Sequence, residues 1–157
     1  MLTFRNILCP TDFSEPSYEA LRVAIDMALT FDSQLTLVHV VPAVPVVASP
    51  VDGLGSPPMN VGAYTRDMTV QSEKLLADIA HDRIPAEVST RLVVRNGDPA
   101  GEILATADRE SVDAIIIATH GWTGWRRLLF GSVAEKVVRA AMCPVTTIRQ
   151  PVEGTEK

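Results

Sequence analysis

A chain of 157 residues with 46% apolar side chains is long enough to bury one hydrophobic core, so a single domain over residues 1–150 is the default. The formal charge of -5 supplies no basic face for duplex DNA or an anionic membrane, which argues against nucleic-acid and membrane partners. No charged-then-apolar leader opens the sequence and no apolar run nears the roughly 20 residues that cross a bilayer, so a cytoplasmic location is expected.

Short apolar runs alternate with helical patterns along the whole chain, as in a parallel sheet covered on both faces by crossover helices. The first predicted strand is Asn6 to Cys9, stopped by Pro10. Behind the Ser14-Glu15-Pro16 start, Ala20, Leu21, Ala24, Ile25, Ala28 and Leu29 recur at helical spacing, with proline suited to the first turn. A second strand is predicted from Leu35 to Val41, stopped by Pro42. The stretch from Pro42 to Gly62 is rich in proline and glycine and has no sustained period, which predicts a long exposed loop. It follows the carboxyl end of a strand, where open α/β sheets place ligands, so it is either a lid or an ordinary surface insertion.

A helix is predicted from about Thr65 to His81 on Met68, Leu75, Leu76 and Ile79, closed off by Pro85, and a third strand from Glu87 to Val94. Asp98-Pro99 is an N-cap followed by proline, opening a helix that turns Ile103, Leu104 and Ala107 inward. Ala114 to Ala118, with three isoleucines in succession, reads as a strand buried on both faces. After Gly131-Ser132 a last helix is expected to bury Val133, Val137, Val138 and Ala141, and Val145 to Ile148 form the fifth strand. The polar residues 151–157 read as a flexible tail. Cys9 and Cys143 each stand beside a proline at a strand edge with no second pair to complete a zinc site, which predicts buried reduced thiols.

The stretch from Ala118 to Ser132 joins a buried strand to a strongly patterned helix. Gly121 and Gly124 can let main-chain amides approach a ligand, and Gly131-Ser132 opens a helix whose unpaired N–H groups attract anions. This predicts a phosphate cradle in which Ser132 caps the helix and presents its hydroxyl; taken alone, the glycines serve a plain turn equally well. Pro10-Thr11-Asp12 ends the first strand beside that cradle, where an aspartate can fix a ribose hydroxyl or an exocyclic amine, or else cap the first helix in competition with Ser14. His120, between Thr119 and Gly121, either touches a phosphate or orients its loop, and His39 reads as a half-buried, satisfied side chain of the second strand. Trp122 and Trp125 either cover a base or pack the loop down, and Arg126 and Arg127 either neutralise phosphates or are solvated.

Taken together, Ile7 to Glu15, the Leu37-Val38-His39-Val40 strand, Gly97-Asp98-Pro99 and the glycine stretch running into Cys143-Pro144-Val145 resemble the universal stress protein family over nearly the whole chain. The ATP-binding form of that family has a glycine, two residues, a second glycine, nine residues, then glycine and serine or threonine. Gly121 and Gly131-Ser132 keep the nine-residue spacing, while Ala118 stands at the first glycine and should crowd the backbone approach slightly. The resemblance implies a doubly wound, Rossmann-like five-stranded parallel sheet in the order 3-2-1-4-5. It implies that Asp12 and the backbone of Val40 hold ribose and adenine, with Pro10, Thr11, Ala118, Thr119, His120 and Gly124 around them. Phosphates would meet Gly121, Gly131, Ser132 and Val133, with Mg2+ or Mn2+ as an accompanying ion. The last strand, Val145, Thr146, Thr147 and Ile148, would pair with its counterpart in a homodimer, and this also removes the hazard of an open edge.

The implied function is an ATP-dependent regulatory dimer in stress response that signals to a protein partner, with slow ATP turnover at most. Selectivity for adenine comes from the resemblance alone. Two alternatives differ in class. One is a dimeric interaction protein without nucleotide. The other is a hydrolase built on Ser132, His120 and Asp12, disfavoured because Ser132 lacks a Gly-x-Ser-x-Gly elbow; the chain also lacks a Walker run.

Overall fold

The computed structural model describes residues 4–43, 60–120 and 131–149. Five parallel strands form one sheet in the order β3-β2-β1-β4-β5, the predicted topology. The elements run β1 (Asn6–Pro10), α1 (Glu15–Phe31), β2 (Gln34–Pro42), α2 (Val61–Arg83), β3 (Thr90–Gly97), α3 (Pro99–Arg109), β4 (Ala114–Ala118), α4 (Ser132–Ala140) and β5 (Val145–Ile148).

Strand alternation sorts the core into two layers. Ile7, Cys9, Leu35, Leu37 and Ile116 pack under α1 and α2 with Ala20, Leu21, Ala24 and Leu76. Leu8, Val38, Val40, Val93, Ile115 and Ile117 pack on the other face against Ala100, Ile103, Ala134 and Val137 of α3 and α4. All five residues of β4 are buried, as its isoleucine run predicts.

Boundaries move where pairing or capping overrides the local pattern. β3 begins at Thr90 rather than Glu87, because Pro85 to Val88 form a turn in which the Val88 N–H bonds the Pro85 carbonyl at 3.0 Å. It then runs on to Gly97, since β2 lies beside it through Pro42, so Pro42 is the last residue of the strand rather than the first of a loop. Helix α2 starts four residues before Thr65, where the Asn60 side chain accepts the Ala63 N–H at 3.0 Å, and Val61 and Gly62 are thereby helical. The rest of the predicted loop, residues 44–59, and the predicted tail, 151–157, lie outside the described residues.

Three predicted core positions are exposed instead. Leu29, Leu75 and Val138 fall at the margins of stripes centred on Ala28, Leu76 and Val137, where the sheet no longer covers them. Cys9 is fully buried, and burial pushes its thiol up to about 12. Cys143 is only half-buried, a departure from the expected buried thiol, because it sits in the short turn before β5. Both are free, and β4 lies between β1, which carries Cys9, and β5, which Cys143 precedes. Among the described residues no helix is long and apolar enough to cross a membrane.

Candidate functional site

A cleft of about 380 Å³ opens at the carboxyl ends of β1, β2 and β4, between them and the amino ends of α3 and α4. That volume lies within the range of small-molecule sites. Its place follows from strand length. β1 pairs with β2 only as far as Pro10↔Val38, whereas β2 continues to Pro42 beside β3. The Val38 carbonyl points toward β1 and accepts the Thr11 N–H at 2.8 Å. Alternation turns the N–H and carbonyl of Val40 to the same side, beyond the end of the β1 ladder and along the cleft. Val40, Pro42, Pro99, Ile103 and Ile117 add apolar surface to the same wall.

The structure gathers ten of the twelve predicted nucleotide-site residues around this cleft: Pro10, Thr11, Asp12, Val40, Ala118, Thr119, His120, Gly131, Ser132 and Val133. Gly121 and Gly124 lie outside the described residues, as do Trp122, Trp125, Arg126 and Arg127. Ala118 is buried, packs with the core under α1 and also borders the cleft.

Two details of the cradle differ from expectation. Gly131 rather than Ser132 is the N-cap of α4; no side chain caps the helix, and Ser132 is its exposed first residue. The Gly131 N–H is already committed, donating to the Thr119 carbonyl at 2.6 Å. Gly131 is favoured by proximity and not by its dihedral, since its φ is -71° but an added Cβ would stand 3.2 Å from the Thr119 carbonyl oxygen, a tight contact. The donors facing the cleft are therefore the N–H groups of Ser132, Val133 and Ala134, the first turn of α4, which have no intrahelical acceptor.

The β1–α1 turn holds a polar network. The Ser17 hydroxyl donates to the Ser14 carbonyl at 2.7 Å, so the Thr11 hydroxyl, 2.9 Å away, must donate to Ser17 and can accept the Phe13 N–H at 3.1 Å. Asp12 does not cap α1 directly. Its Oδ1 accepts the Ser14 N–H at 3.0 Å and also the Ser14 hydroxyl, while Ser14 occupies the N-cap position without a cap bond of its own. Ser17, buried and lining the cleft, was not singled out by sequence; its position one turn into α1 behind Asp12 is the signal that could have found it.

His39 is half-buried and bonded as expected, yet it also lines the cleft. Its Nδ1 lies 2.8 Å from the Thr11 carbonyl, and burial lowers its basicity below the usual histidine value, opposed by that hydrogen bond and by the Asp12 charge. His120 Nδ1 pairs with the Thr119 hydroxyl at 2.9 Å. Ser132, His120 and Asp12, the hydrolase candidates, all border the cleft, but these bonds engage His120 and Asp12 within their own loops. Among the described residues no group of three or more His, Cys, Asp or Glu could hold a metal ion.

The fifth strand, Val145 to Ile148, pairs on one side with β4 and is an edge of the sheet. The Pro144 and Ile148 carbonyls face β4, accepting from Ile115 and Thr119 at 2.9 Å each, so the main-chain groups of Val145 and Thr147 face outward.

Residues 3–149 match the model of the universal stress protein family. Among curated proteins, universal stress protein MJ0531 of Methanocaldococcus jannaschii is 32% identical over 94% of this chain and 84% of its own length. Among solved structures, the protein MJ0577 superposes with a TM-score of 0.81 at 24% identity, covering 95% of this chain and 98% of that one. A universal stress protein in complex with cAMP superposes at 0.61, with 21% identity and 94% and 98% coverage. One from Archaeoglobus fulgidus in complex with dAMP superposes at 0.55, with 21% identity and the same coverage.

Proposed function

Since this chain belongs to the universal stress protein family, we propose that its cleft binds an adenine nucleotide, ATP foremost, and that the protein is a nucleotide-dependent regulatory dimer rather than an enzyme of metabolism. The observation that carries this is the early end of β1, which leaves the main chain of Val40 along an apolar wall while the first turn of α4 presents its amides across the same cleft. A purine needs one flat apolar face and a few edge hydrogen bonds, and phosphates need unpaired N–H groups in a positive end field. The cleft offers both. Two solved members that hold cAMP and dAMP carry the same chemical unit, an adenine nucleotide.

In this reading the base lies against Val40, Pro99 and Ile103, the Asp12 carboxylate accepts a ribose hydroxyl, and the phosphates meet the amides of Ser132 and Val133. Mg2+ or Mn2+ would come with the phosphates, as the described residues hold no acidic cluster of their own. The outward-facing edge of β5 supports pairing with a second copy, and a cytoplasmic place fits the ligand. A nucleotide-free interaction protein is the competing reading, favoured by the loss of the Gly131 amide to Thr119, which leaves the cradle one donor poorer than its glycines suggest.

The test uses two variants at one position. Ser132→Pro removes the N–H of the first helical residue, where proline is tolerated and where the extended Gly131 backbone (φ -71°, ψ 156°) suits a following proline. Ser132→Ala removes the hydroxyl and keeps the amide. Calorimetric titration with ATP should show roughly tenfold weaker binding for Ser132→Pro, the worth of one hydrogen bond to a charged group, with an unchanged helical spectrum. Wild-type protein that neither binds ATP nor releases nucleotide on heat denaturation would instead select the interaction-only reading.

A further inference from the structure

We propose that His39 and Phe13 are positioning residues that hold the Asp12 carboxylate in its ligand-facing place, His39 by tying the Thr11 carbonyl to β2 and Phe13 by stacking on the His39 ring. The inference rests on the nucleotide reading of the cleft and adds to it two residues outside the glycine signature.

The hydrogen bonds inside the turn that carries Asp12, from the Phe13 N–H to the Thr11 hydroxyl and from Ser14 to the carboxylate, hold a backbone that is intrinsically unfavourable. Phe13 has a φ of 65°, a left-handed conformation that a bulky side chain adopts only when its surroundings over-determine it. What determines it is visible on both sides of Asp12. Before it, Thr11 is held by its N–H to the Val38 carbonyl and by its own carbonyl to His39 Nδ1, each at 2.8 Å. After it, the Phe13 ring lies 4.3 Å from the His39 ring at an interplanar angle of 33° and packs against the core under α1. One imidazole therefore grips the residues on either side of the carboxylate. A carbonyl can only accept, so the proton of this bond belongs to Nδ1.

The arrangement also ties the two halves of the cleft together. His39 immediately precedes Val40, whose main chain borders the base side, so three consecutive residues of β2 set the spacing between the base edge and Asp12: Val38 through its carbonyl, His39 through its ring, Val40 through its backbone. A side chain in this role needs both a donor at the right reach and a flat face. Asparagine could supply only the first and phenylalanine only the second.

The experiment is a double-mutant cycle read by ATP titration. Asp12→Ala, His39→Ala and the pair are compared, with His39→Asn and His39→Phe as partial replacements. Positioning predicts that His39→Ala weakens ATP by about tenfold, the worth of one charge-assisted contact, and that in the Asp12→Ala background it costs little more. His39→Asn should recover part of the loss and His39→Phe a different part. Additive losses, or full affinity in His39→Ala, would overturn the inference while leaving the nucleotide reading intact. Full affinity in Asp12→Ala would overturn the ribose role of Asp12 and the inference with it. Should His39→Ala fail to fold, long-range ¹H–¹⁵N correlation of the wild-type ring decides: a proton on Nδ1 is required, and one on Nε2 alone refutes the bond to Thr11.

Discussion

At the amino ends of the strands the connecting segments close the backbone. Gln34 donates to the Arg5 carbonyl, Asp113 to Asn6, Leu35 to Ser89 and Ile115 to Pro144, all at 2.8 to 2.9 Å. The Asp113 carboxylate then takes the N–H groups of Arg5 and Asn6 at 2.7 and 2.9 Å. A second cavity of about 330 Å³ lies between the carboxyl-terminal ends of α3 and α4, lined mainly by Leu104, Ala107, Val112, Ala141, Met142 and Cys143. The carboxyl-end cleft is hardly larger, yet three elements bring unlike groups to it: a strand edge, an aspartate turn and a helix start. Volume is thus a poor guide to a ligand site. Unspent main-chain groups beside an apolar wall are a better one, and parallel strands concentrate them where helices begin.

The largest expected effect would come from adding bulk at one end and then at the other. Gly131→Val places a Cβ 3.2 Å from the Thr119 carbonyl oxygen and must displace either β4's exit or α4's entry. ATP affinity should fall by at least about tenfold, with a loss of ~1–3 kcal/mol in stability from overpacking. Ala107→Val, directed at the far cavity, should leave affinity unchanged. An equal loss of affinity in both variants, by titration and denaturant unfolding, would break the distinction between the ends.

A smaller effect concerns the sheet's edge rather than its ends. Thr147→Pro deletes an outward N–H of β5 without touching the ladder to β4. Sedimentation should show monomers if β5 pairs between copies, while ATP affinity shifts by less than about threefold, the modest coupling expected when no cleft residue is altered. A large affinity loss would mean that the cleft is completed by the second copy.

An effect confined to alkaline pH sits between the two ends, at Cys9. The native thiol holds its proton up to about 12, whereas the unfolded thiol releases it near its ordinary value of 9.0. The unfolded state therefore binds fewer protons above that value, and stability must fall as pH rises through it. Relative to Cys9→Ala, the wild type should lose on the order of 2 kcal/mol between pH 7 and 10.5. Parallel curves from urea unfolding would contradict the burial of this thiol.

Much of the fold was legible because patterns repeat along it. The Ile115 to Ile117 run, the stripe in α1 and the Asp98-Pro99 start each predicted an element that the structure contains, since burial on two faces, burial on one face and capping are local instructions. Leu29, Leu75 and Val138 show the limit. Helical spacing marks a stripe, but the width of the sheet beneath it decides where the stripe ends. The end of β3 at Gly97 and the strand position of Pro42 were likewise set by register between β3 and β2, partners distant in sequence.

By itself the sequence determined the order of elements, the strand-end placement of Asp12 and the glycine-serine start of α4, because each is written in adjacent residues. Tertiary structure alone decided that β1 stops short of β2, that the Gly131 amide turns inward to Thr119, and that His39 faces both Thr11 and Phe13. Those facts depend on which groups meet across strands, and a hydrogen bond between residues 28 positions apart leaves no mark on either neighbourhood.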